Sequence, residues 1–504
     1  MTYALFQSRM AQVNDLLSVL NLLGWDARTQ MPSGGVATRG NQVSTLAALA
    51  RDLVTGNEMR AAIASAQAEV ARSGDKEAQR ALEQAEMEIG ILSRIPAPIV
   101  AEMAELTTVA HSVWADARAR NDFGAYAPTL ERIFGMQRKI ADAVGYEEHP
   151  YDAMLGRYES GMTLKQLQGL LQPLKQALVP LIETAMAAPQ PRMDFLSRVF
   201  PIPAQKAFGM KIAEKFGYDL ERGRLDDTTH PFEISFTRND VRITSRFRET
   251  WMPGGVFALW HEAGHAMYEQ GAAPEITRTI FATDVVNLYA VAGASFGMHE
   301  SQSRLWENRV GRSRRFWELH FGELRDAFPD QLADVTPEMF WRAVNKVRPD
   351  FIRVEADELT YDLHIILRTE IEAAVMAGEI KVADLPAVWN DRMKRYLGRD
   401  VPTDTLGVLQ DVHWSHGYVG SFPTYTIGNI MGAQFFDAAL KKQDIAAGLD
   451  QGDYAPLKDW LTDNIYRYGR SSTPAETLQR TAGGSIDVKP YIRLLTEKVA
   501  SLTA

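Results

Sequence analysis

The sequence predicts a mainly α-helical fold, with a single large domain over residues 1–504 and a small β element. Three observations support this prediction. Apolar residues recur at helical spacing in the first segment, Leu16–Leu23. Long alanine-rich and charged stretches follow it, and their length suits amphipathic helices. Convincing alternation of apolar and polar residues is found in one short region only, between His230 and Arg248.

The helices are predicted in chain order from capping and helix-breaking residues. The first helix ends near Gly24, because glycine often terminates a helix. A later helix begins after Thr163, whose hydroxyl suits the N-cap position, and runs to Ala187. No repeat or long linker divides the chain, so one domain is expected. The other helices expected in the first 200 residues are Val36–Thr55, Glu58–Ser73, Lys76–Ser93, a helix from Pro96 or Pro98 to Asn121, and Tyr126–Val144.

The expected β element is a hairpin that directly precedes a helix. Ile234 and Phe236 alternate with polar neighbours, and so do Val241 and Ile243, as in strands with one buried face. A helix is expected next, from about residue 256 to residue 270. An edge strand beside this helix can hold an extended peptide through main-chain hydrogen bonds.

The composition argues against several classes of protein. The chain has 54 Lys and Arg against 64 Asp and Glu, and its net charge of −10 disfavours nucleic acids and anionic membranes as partners. No cysteine is present, which excludes disulfides, thiolate metal ligands and cysteine nucleophiles. No run of about 18 apolar residues suits a membrane span, and the first residues lack a signal-peptide pattern. We therefore expect a cytoplasmic protein.

The most informative motif is a pentad in the helix predicted after the hairpin: His261-Glu262-Ala263-Gly264-His265. Residues four apart share one face of a helix, so both imidazoles can point at the same spot. They form half of a zinc site, since Zn²⁺ takes nitrogen ligands at about 2.0–2.1 Å. The glutamate beside the first histidine can take a proton from a water that the metal activates. The motif predicts metal-dependent hydrolysis; the alternative is a surface helix with two unrelated histidines.

A catalytic zinc site needs a third protein ligand and an open position for water. Because cysteine is absent, the candidates are carboxylates downstream of the motif. Glu300, which lies in a helix expected to begin near Met298, is our choice. Spacing alone leaves four other carboxylates open: Glu269, Glu275, Asp284 and Glu307.

Six sequence blocks in a fixed order form a more specific pattern than the pentad alone. They are His230-Pro231-Phe232; Asp240-Val241-Arg242-Ile243-Thr244; the pentad; His299-Glu300-Ser301-Gln302; Ile352-Arg353-Val354-Glu355-Ala356-Asp357; and Gly407-Val408-Leu409-Gln410-Asp411-Val412-His413-Trp414. Trp25-Asp26 and the stretch from Met31 to Gly35 add an opening block. Together they resemble the M32, or carboxypeptidase Taq, family of metallocarboxypeptidases over nearly the whole chain.

This resemblance implies a fold, an activity and an assembly. The fold would be an ellipsoidal helical domain with a deep active-site groove, similar to angiotensin-converting enzyme and neurolysin. Residues 1–200 would form part of the groove wall, and residues 230–430 would carry the catalytic motifs. The implied activity is the removal of single C-terminal residues from peptides with broad specificity. The implied assembly is a homodimer.

The resemblance also assigns the centre of the site residue by residue. It implies that His261, His265 and Glu300 bind the metal and that Glu262 is the general base. One departure is the separation of 35 positions between the second histidine and Glu300, which is longer than usual for the family. We therefore expect an insertion in the segment 271–292, which leaves the motifs intact but alters the mouth of the groove.

Three further residues are expected to bind substrate. The resemblance implies that His413 and Tyr425 lie at the site, where they would donate hydrogen bonds to the oxyanion, with Tyr418 as the competing tyrosine. Arg353 is the predicted anchor for the free carboxylate of the substrate, because a guanidinium binds a carboxylate through two parallel hydrogen bonds. The alternative is a structural ion pair between Arg353 and Asp357, four residues later.

The expected cofactor is Zn²⁺, with Co²⁺ or Mn²⁺ as substitutes, because a site of two nitrogens and one oxygen accepts each of them. The expected partners are peptides with a free C-terminus, without nucleic acid or membrane. Two other functions stay open. One is a zinc endo-oligopeptidase of the neurolysin type, which needs no carboxylate anchor; the other is a helical peptide-binding scaffold with an inactive site.

Overall fold

The computed structural model describes residues 2–504. Helices hold 71% of the chain and strands 4%, so the predicted mainly helical fold with a small β element is confirmed. The residues form two compact units, and the expectation of a single domain stays a prediction. The first unit comprises the chain up to Ser93, Arg192–Val344 and Met431–Ile486. The second comprises Arg94–Pro191, Asn345–Ile430 and Asp487–Ala504.

The helices are numbered in chain order, and α16 divides between the two units at Ile430. Their bounds are α1 Thr2–Thr29, α2 Val36–Thr55, α3 Asn57–Ser73, α4 Lys76–Arg94, α5 Ala97–Arg120, α6 Phe123–Val144, α7 Pro150–Leu155, α8 Leu164–Ala187, α9 Ile202–Phe216, α10 Met252–Gly271, α11 Phe296–Arg304, α12 Arg314–Ala327, α13 Pro337–Val344, α14 Glu358–Ala377, α15 Leu385–Leu397, α16 Pro423–Ala439, α17 Gln443–Gln451, α18 Ala455–Asn464, α19 Pro474–Ala482 and α20 Lys489–Thr503.

Most predicted helix boundaries agree with the structure, and the main exception is the end of α1. The capping prediction holds for α8, where the Thr163 side chain accepts a hydrogen bond from the backbone of Gln166 and the Gln166 side chain accepts one in return. The predicted end at Gly24 is wrong, because α1 continues to Thr29. Glycine costs about 1 kcal/mol inside a helix. Burial of the next side chain, Trp25, outweighs that cost, since burying a large apolar side chain stabilises the folded state by about 1.5–3 kcal/mol.

The β element is a three-stranded sheet in the first unit. Its strands are β1 (Gly223–Asp227), β2 (Glu233–Thr237) and β3 (Asp240–Ser245), in the order β1-β3-β2. β2 and β3 are antiparallel, which confirms the predicted hairpin, and β2 lies at the edge. β1 pairs in parallel with β3 and was not predicted, because its sequence contains a single apolar residue.

The segment between α10 and α11 is folded against the N-terminal helices. It contains a two-stranded sheet formed by β4 (Thr283–Asp284) and β5 (Tyr289–Ala290). Ile276, Phe281 and Val285 share a buried core with side chains of α1 to α4. This packing fixes the start of α11, which carries Glu300. Within residues 2–504, no helix combines the length and the apolar character that crossing a membrane would require.

Candidate functional site

A close approach of two helices brings the predicted metal ligands together in the first unit. α10 carries the histidine pair, and α11 crosses it at Gly264. A Cβ atom at Gly264 would lie 2.6 Å from the carbonyl oxygen of Gln302 and 2.7 Å from the Cα atom of Ser303. Only glycine therefore allows this approach. The glycine inside the pentad is thus a structural requirement as well as a spacer.

The carboxylate of Glu300 faces both imidazoles. Its Oε2 atom lies 3.4 Å from Nε2 of His261 and 3.2 Å from Nε2 of His265. Two atoms bound tetrahedrally to one zinc ion at about 2.0–2.1 Å lie about 3.3 Å apart, so the three side chains fit one metal ion. Glu262 also has an oxygen within 4.8 Å of the imidazole ligand atoms, but Glu300 contacts both Nε2 atoms directly.

Each histidine has a hydrogen-bond partner on its other nitrogen. Nδ1 of His261 lies 3.0 Å from Oε2 of Glu307. Nδ1 of His265 lies 2.6 Å from Nδ1 of His299, whose Nε2 lies 3.0 Å from Oε1 of Glu269. Such partners fix the orientation and the tautomer of a metal-ligating histidine. Glu269 and Glu307, left open as third ligands by spacing, therefore lie behind the imidazoles rather than in front of them.

Glu269 is held by donors from the segment that precedes α11. The backbone N–H groups of Ala292 and Gly293 donate to its carboxylate over 2.9 Å each, and the Ser235 hydroxyl donates over 3.1 Å. Although burial alone would raise its pKa, the hydrogen bond from His299 holds the pKa of Glu269 below its ordinary value. The end of the segment 271–292 therefore supports the histidine cluster from behind.

The other two carboxylates left open by spacing lie elsewhere. Glu275 is an exposed residue of the 3₁₀ turn Pro274–Ile276. Asp284 is buried in β4, where it accepts hydrogen bonds from Asn287. Neither is among the contacts of the two imidazoles described above. Of the five carboxylates considered as the third ligand, Glu300 is thus the one that faces the Nε2 atoms of both histidines.

The charges around the histidines favour a cation. Burial alone would lower the pKa of His261, but the carboxylates of Glu300 and Glu307 outweigh it and raise that pKa to about 10. Burial lowers the pKa of His265 to about 3, so this imidazole is neutral at ordinary pH. The carboxylates thus favour a positive charge at the histidine pair, and a metal cation would supply it.

Glu262 lies beside the first histidine on α10. Its side chain is buried, and burial raises its pKa to about 7. The backbone N–H of Glu233, the first residue of β2, donates a hydrogen bond to its carboxylate. A carboxylate whose pKa lies near neutrality suits a group that both accepts and returns a proton.

The second unit contains a cluster of arginines around one aspartate. Arg353 lies in a 3₁₀ turn, and its Nε and Nη2 atoms lie 3.0 and 2.9 Å from Oδ1 of Asp411. Arg368 donates from Nε to the other carboxylate oxygen over 2.6 Å. Nη1 of Arg353 donates to the Tyr361 hydroxyl over 3.1 Å. Both guanidinium groups are buried, so the cluster holds two positive charges against one negative charge.

The predicted ion-pair partner of Arg353 is wrong, because the carboxylate that it contacts is Asp411 and not Asp357. The expected pair required a helix through both residues, but Asp357 is the N-cap of α14. Its side chain accepts from the backbone of Leu359 and Thr360.

His413 and Tyr425 meet in the same cluster. Nε2 of His413 lies 3.1 Å from the Tyr425 hydroxyl, and the Tyr425 ring lies below the Arg353 guanidinium, 5.2 Å from its carbon. Burial, with the charge of Arg353, lowers the pKa of His413 to about 3, so this imidazole is neutral at ordinary pH. The competing Tyr418 has a half-exposed side chain that contacts the His416 ring instead.

Comparisons with known proteins identify the family. A family model described as carboxypeptidase Taq (M32) metallopeptidase matches residues 5–499. The chain belongs to the M32 family of metallocarboxypeptidases. Carboxypeptidase 1 of Bacillus subtilis is 35% identical, over 99% of this chain and 98% of the relative. Thermostable carboxypeptidase 1 of Thermus thermophilus is 36% identical, over 97% and 96%.

The solved structures extend the agreement to the whole fold. The crystal structure of the M32 carboxypeptidase from Deinococcus radiodurans R1 is 39% identical and gives a TM-score of 0.94, over 100% of this chain and 99% of that chain. The predicted family is thus confirmed. Membership in M32 means a metal-dependent carboxypeptidase that acts on peptides.

Several residues of the two clusters were not assigned these places from the sequence. Arg368 was not considered, and the position of Asp411 between two arginines was not predicted. Glu233 also escaped notice. Glu269 follows His265 by four residues, which is a helical signal for a shared face, but spacing did not distinguish a ligand from the partner of a ligand.

Proposed function

We propose that this M32 chain is a zinc-dependent carboxypeptidase that removes single C-terminal residues from peptides with broad specificity. The observation that carries the metal assignment is the approach of one Glu300 oxygen to within 3.2 and 3.4 Å of both imidazole Nε2 atoms. His261, His265 and Glu300 would hold the zinc ion. We still predict that Co²⁺ or Mn²⁺ can replace zinc in this protein. A cytoplasmic location and a homodimer also stay predictions.

The hydrogen bonds behind the ligands suit this metal. For Nε2 of His265 to offer its lone pair, its Nδ1 must carry the proton and donate it to Nδ1 of His299. His299 must then donate from Nε2 to Glu269, which is the observed contact. When bound, zinc supplies a lowered pKa for a coordinated water and polarisation of the scissile carbonyl.

Glu262 is the proposed general base and acid. It accepts a proton from the attacking water and later returns that proton to the leaving amine. Its buried position and its pKa of about 7 support both steps, and the N–H of Glu233 orients the carboxylate. His413 and Tyr425 are proposed to stabilise the oxyanion, with Tyr425 as a donor through its hydroxyl.

Arg353 is proposed to bind the α-carboxylate of the substrate. The cluster of Arg353, Arg368 and Asp411 has an excess of one positive charge in a buried position, which favours an anion. An endo-oligopeptidase would have no use for such an anchor. The excess positive charge therefore supports cleavage at a free C-terminus.

One digestion experiment tests the function. A single unstructured peptide, prepared as the free acid and as the C-terminal amide, is incubated with the protein and followed by mass spectrometry, with and without a chelator. We expect stepwise loss of single residues from the free acid only, abolished by the chelator and restored by Zn²⁺ or Co²⁺. Internal cleavage of both peptides would instead support the endo-oligopeptidase, and no cleavage by the metal-loaded protein would support an inactive scaffold.

A further inference from the structure

Five glutamates surround the histidine cluster, and one of them differs from the others in its partners. Glu300 accepts from Arg304 over 2.7 Å, and Glu307 accepts from Arg312 over 2.9 Å. Glu269 has His299 and backbone donors, and Glu262 has a backbone donor and lies beside the proposed metal. Of these five glutamates, Glu233 is the one with a carboxyl oxygen, Oε1, that is buried without a hydrogen-bond partner among residues 2–504.

Strand geometry directs Glu233 toward the catalytic helix. Side chains two apart in a strand share one face, so Glu233 and Ser235 lie on the same face of β2. The hydroxyl of Ser235 donates to Glu269 on α10, which identifies that face as the one against the helix. Glu262 lies on the same helix about two turns before Glu269. Its carboxylate accepts a hydrogen bond from the backbone N–H of Glu233, so Glu233 lies beside Glu262. The charges of Glu269 and Glu262 both act on the Glu233 carboxyl, which agrees with this placement.

The Glu233 side chain is half-buried, and one of its carboxyl oxygens has no partner. Its Oε1 atom is buried and has no hydrogen-bond partner. Burial, with the charges of the two neighbouring glutamates, raises the pKa of Glu233 well above its ordinary value. A buried acid without a partner is costly, because its ionised form needs a counter-charge and its neutral form leaves an oxygen unsatisfied. The structure around it supplies neither.

We propose that Glu233 is a specificity residue that binds a cationic group of the peptide close to the scissile bond. The inference rests on the proposed function, since it places this group next to Glu262. A lysine or arginine side chain on the bound peptide would donate to the free Oε1 atom and supply the missing positive charge. A free α-ammonium group of a very short peptide has the same chemistry.

The edge position of β2 is consistent with this role. Asn21 covers the strand farther along by donating to the carbonyl oxygen of Ser235, and Ser18 does so at Phe236. At Phe232 the backbone pairs with Thr244 of β3. Glu233 lies between these covered positions, and its N–H is directed to Glu262. The backbone there is fixed, so the side chain is the group left to take part in recognition.

The test compares lysine with norleucine, which has a similar stem without the ammonium group. Free-acid peptides carry one or the other at the last position or at the penultimate position, and N-acetylated and free dipeptides test the α-ammonium source. The variant is Glu233→Gln, which keeps the side-chain shape. The control is Glu221→Gln, because Glu221 is an exposed residue of the same unit. Metal content is measured for all three proteins.

We expect the unmodified protein to prefer the cationic peptide at one of these positions by about tenfold or more in kcat/KM, as for a partly buried charge pair. Glu233→Gln should reduce that ratio to near one, through slower cleavage of the cationic peptide, while Glu221→Gln leaves it unchanged. The peptide in which Glu233→Gln lowers the preference shows whether Glu233 binds the last side chain, the penultimate side chain or the α-ammonium group. Equal ratios in the unmodified protein and Glu233→Gln at every position would overturn the role of Glu233. Absence of all cleavage by the metal-loaded protein would instead overturn the proposed function, and with it this inference.

Discussion

The histidine cluster of the first unit and the arginine cluster of the second have opposite imbalances of charge. Around His261 and His265, five glutamates face fewer cationic side chains, and the excess negative charge raises the pKa of His261 to about 10. Around Asp411, two buried guanidinium groups share one carboxylate. Most side chains of both clusters are buried, and a buried charge without a counter-charge costs several kcal/mol.

The opposite charges indicate which kind of ligand each cluster would stabilise. A cluster with excess carboxylates is stabilised by a cation, and one with excess guanidinium groups is stabilised by an anion. A metal ion and the free carboxylate of a peptide carry these charges. Substitutions in one cluster at a time should therefore separate the metal-dependent part of the activity from the carboxylate-dependent part.

The largest effect is expected from Glu262→Gln, which removes the proposed base and keeps the shape of the side chain. We expect kcat to fall by about 10²–10⁴-fold, as for the loss of a general base. Metal content should be unchanged, since the proposed ligands are intact. The measurement is steady-state kinetics together with metal analysis. Full activity in a metal-loaded Glu262→Gln protein would rule out the role of base.

A smaller effect is expected from His299→Gln, which interrupts the chain of hydrogen bonds from Glu269 to His265. Loss of such a partner typically weakens metal binding by about 10–100-fold. The dissociation constant for zinc can be measured by competition with a chelating dye. The matched control is His320→Gln, because His320 is also buried in the first unit and contacts Glu323 and Tyr454 rather than the cluster. Equal metal affinity in both variants would show that His299 does not position the ligand.

The sequence predicted the first cluster better than the second, for physical reasons. The histidines lie four residues apart, and helical periodicity alone places them on one face. The choice of Glu300 over Glu307 could not be made in this way, because α11 continues into a π-helix over Leu305–Gly311 and the regular periodicity is lost. The partners of Arg353 were less accessible still. Asp411 lies 58 positions away, and no local pattern reports such a contact.

In the fold, too, features set by local sequence were predicted better than features that depend on contacts between distant residues. Helix bounds such as those of α8 follow from local capping and periodicity, whereas the end of α1 depends on where Trp25 is buried. β1 has almost no strand signal of its own and forms because β3 offers a partner. Family resemblance, rather than periodicity, supplied His413 and Tyr425 at the sequence level.

A pH dependence of stability is expected to arise in the second cluster. The pKa of His413 falls from 6.5 to about 3 on folding, mainly by burial. A histidine that must stay neutral stabilises the folded state fully above pH 6.5, and this contribution is lost as the pH falls toward 3. The loss is at most about 1.4 kcal/mol per pH unit. Urea denaturation between about pH 4 and pH 7 should give a shallower acid limb for His413→Gln than for the unmodified protein. Parallel limbs would contradict a neutral buried His413.

The most direct test of the opposite charges is the kinetics of Arg353→Ala on paired free-acid and amide peptides. Arg368 still pairs with Asp411 in this variant, so the fold should survive, and Arg395→Ala is an exposed control in the same unit. Two charge-assisted hydrogen bonds contribute about 1.5–3 kcal/mol each. KM for the free acid should rise by about 100-fold or more, cleavage of the amide should stay at its already low rate, and metal content should be unchanged. Equal proportional losses on the free acid and the amide would contradict the binding of the substrate carboxylate by Arg353.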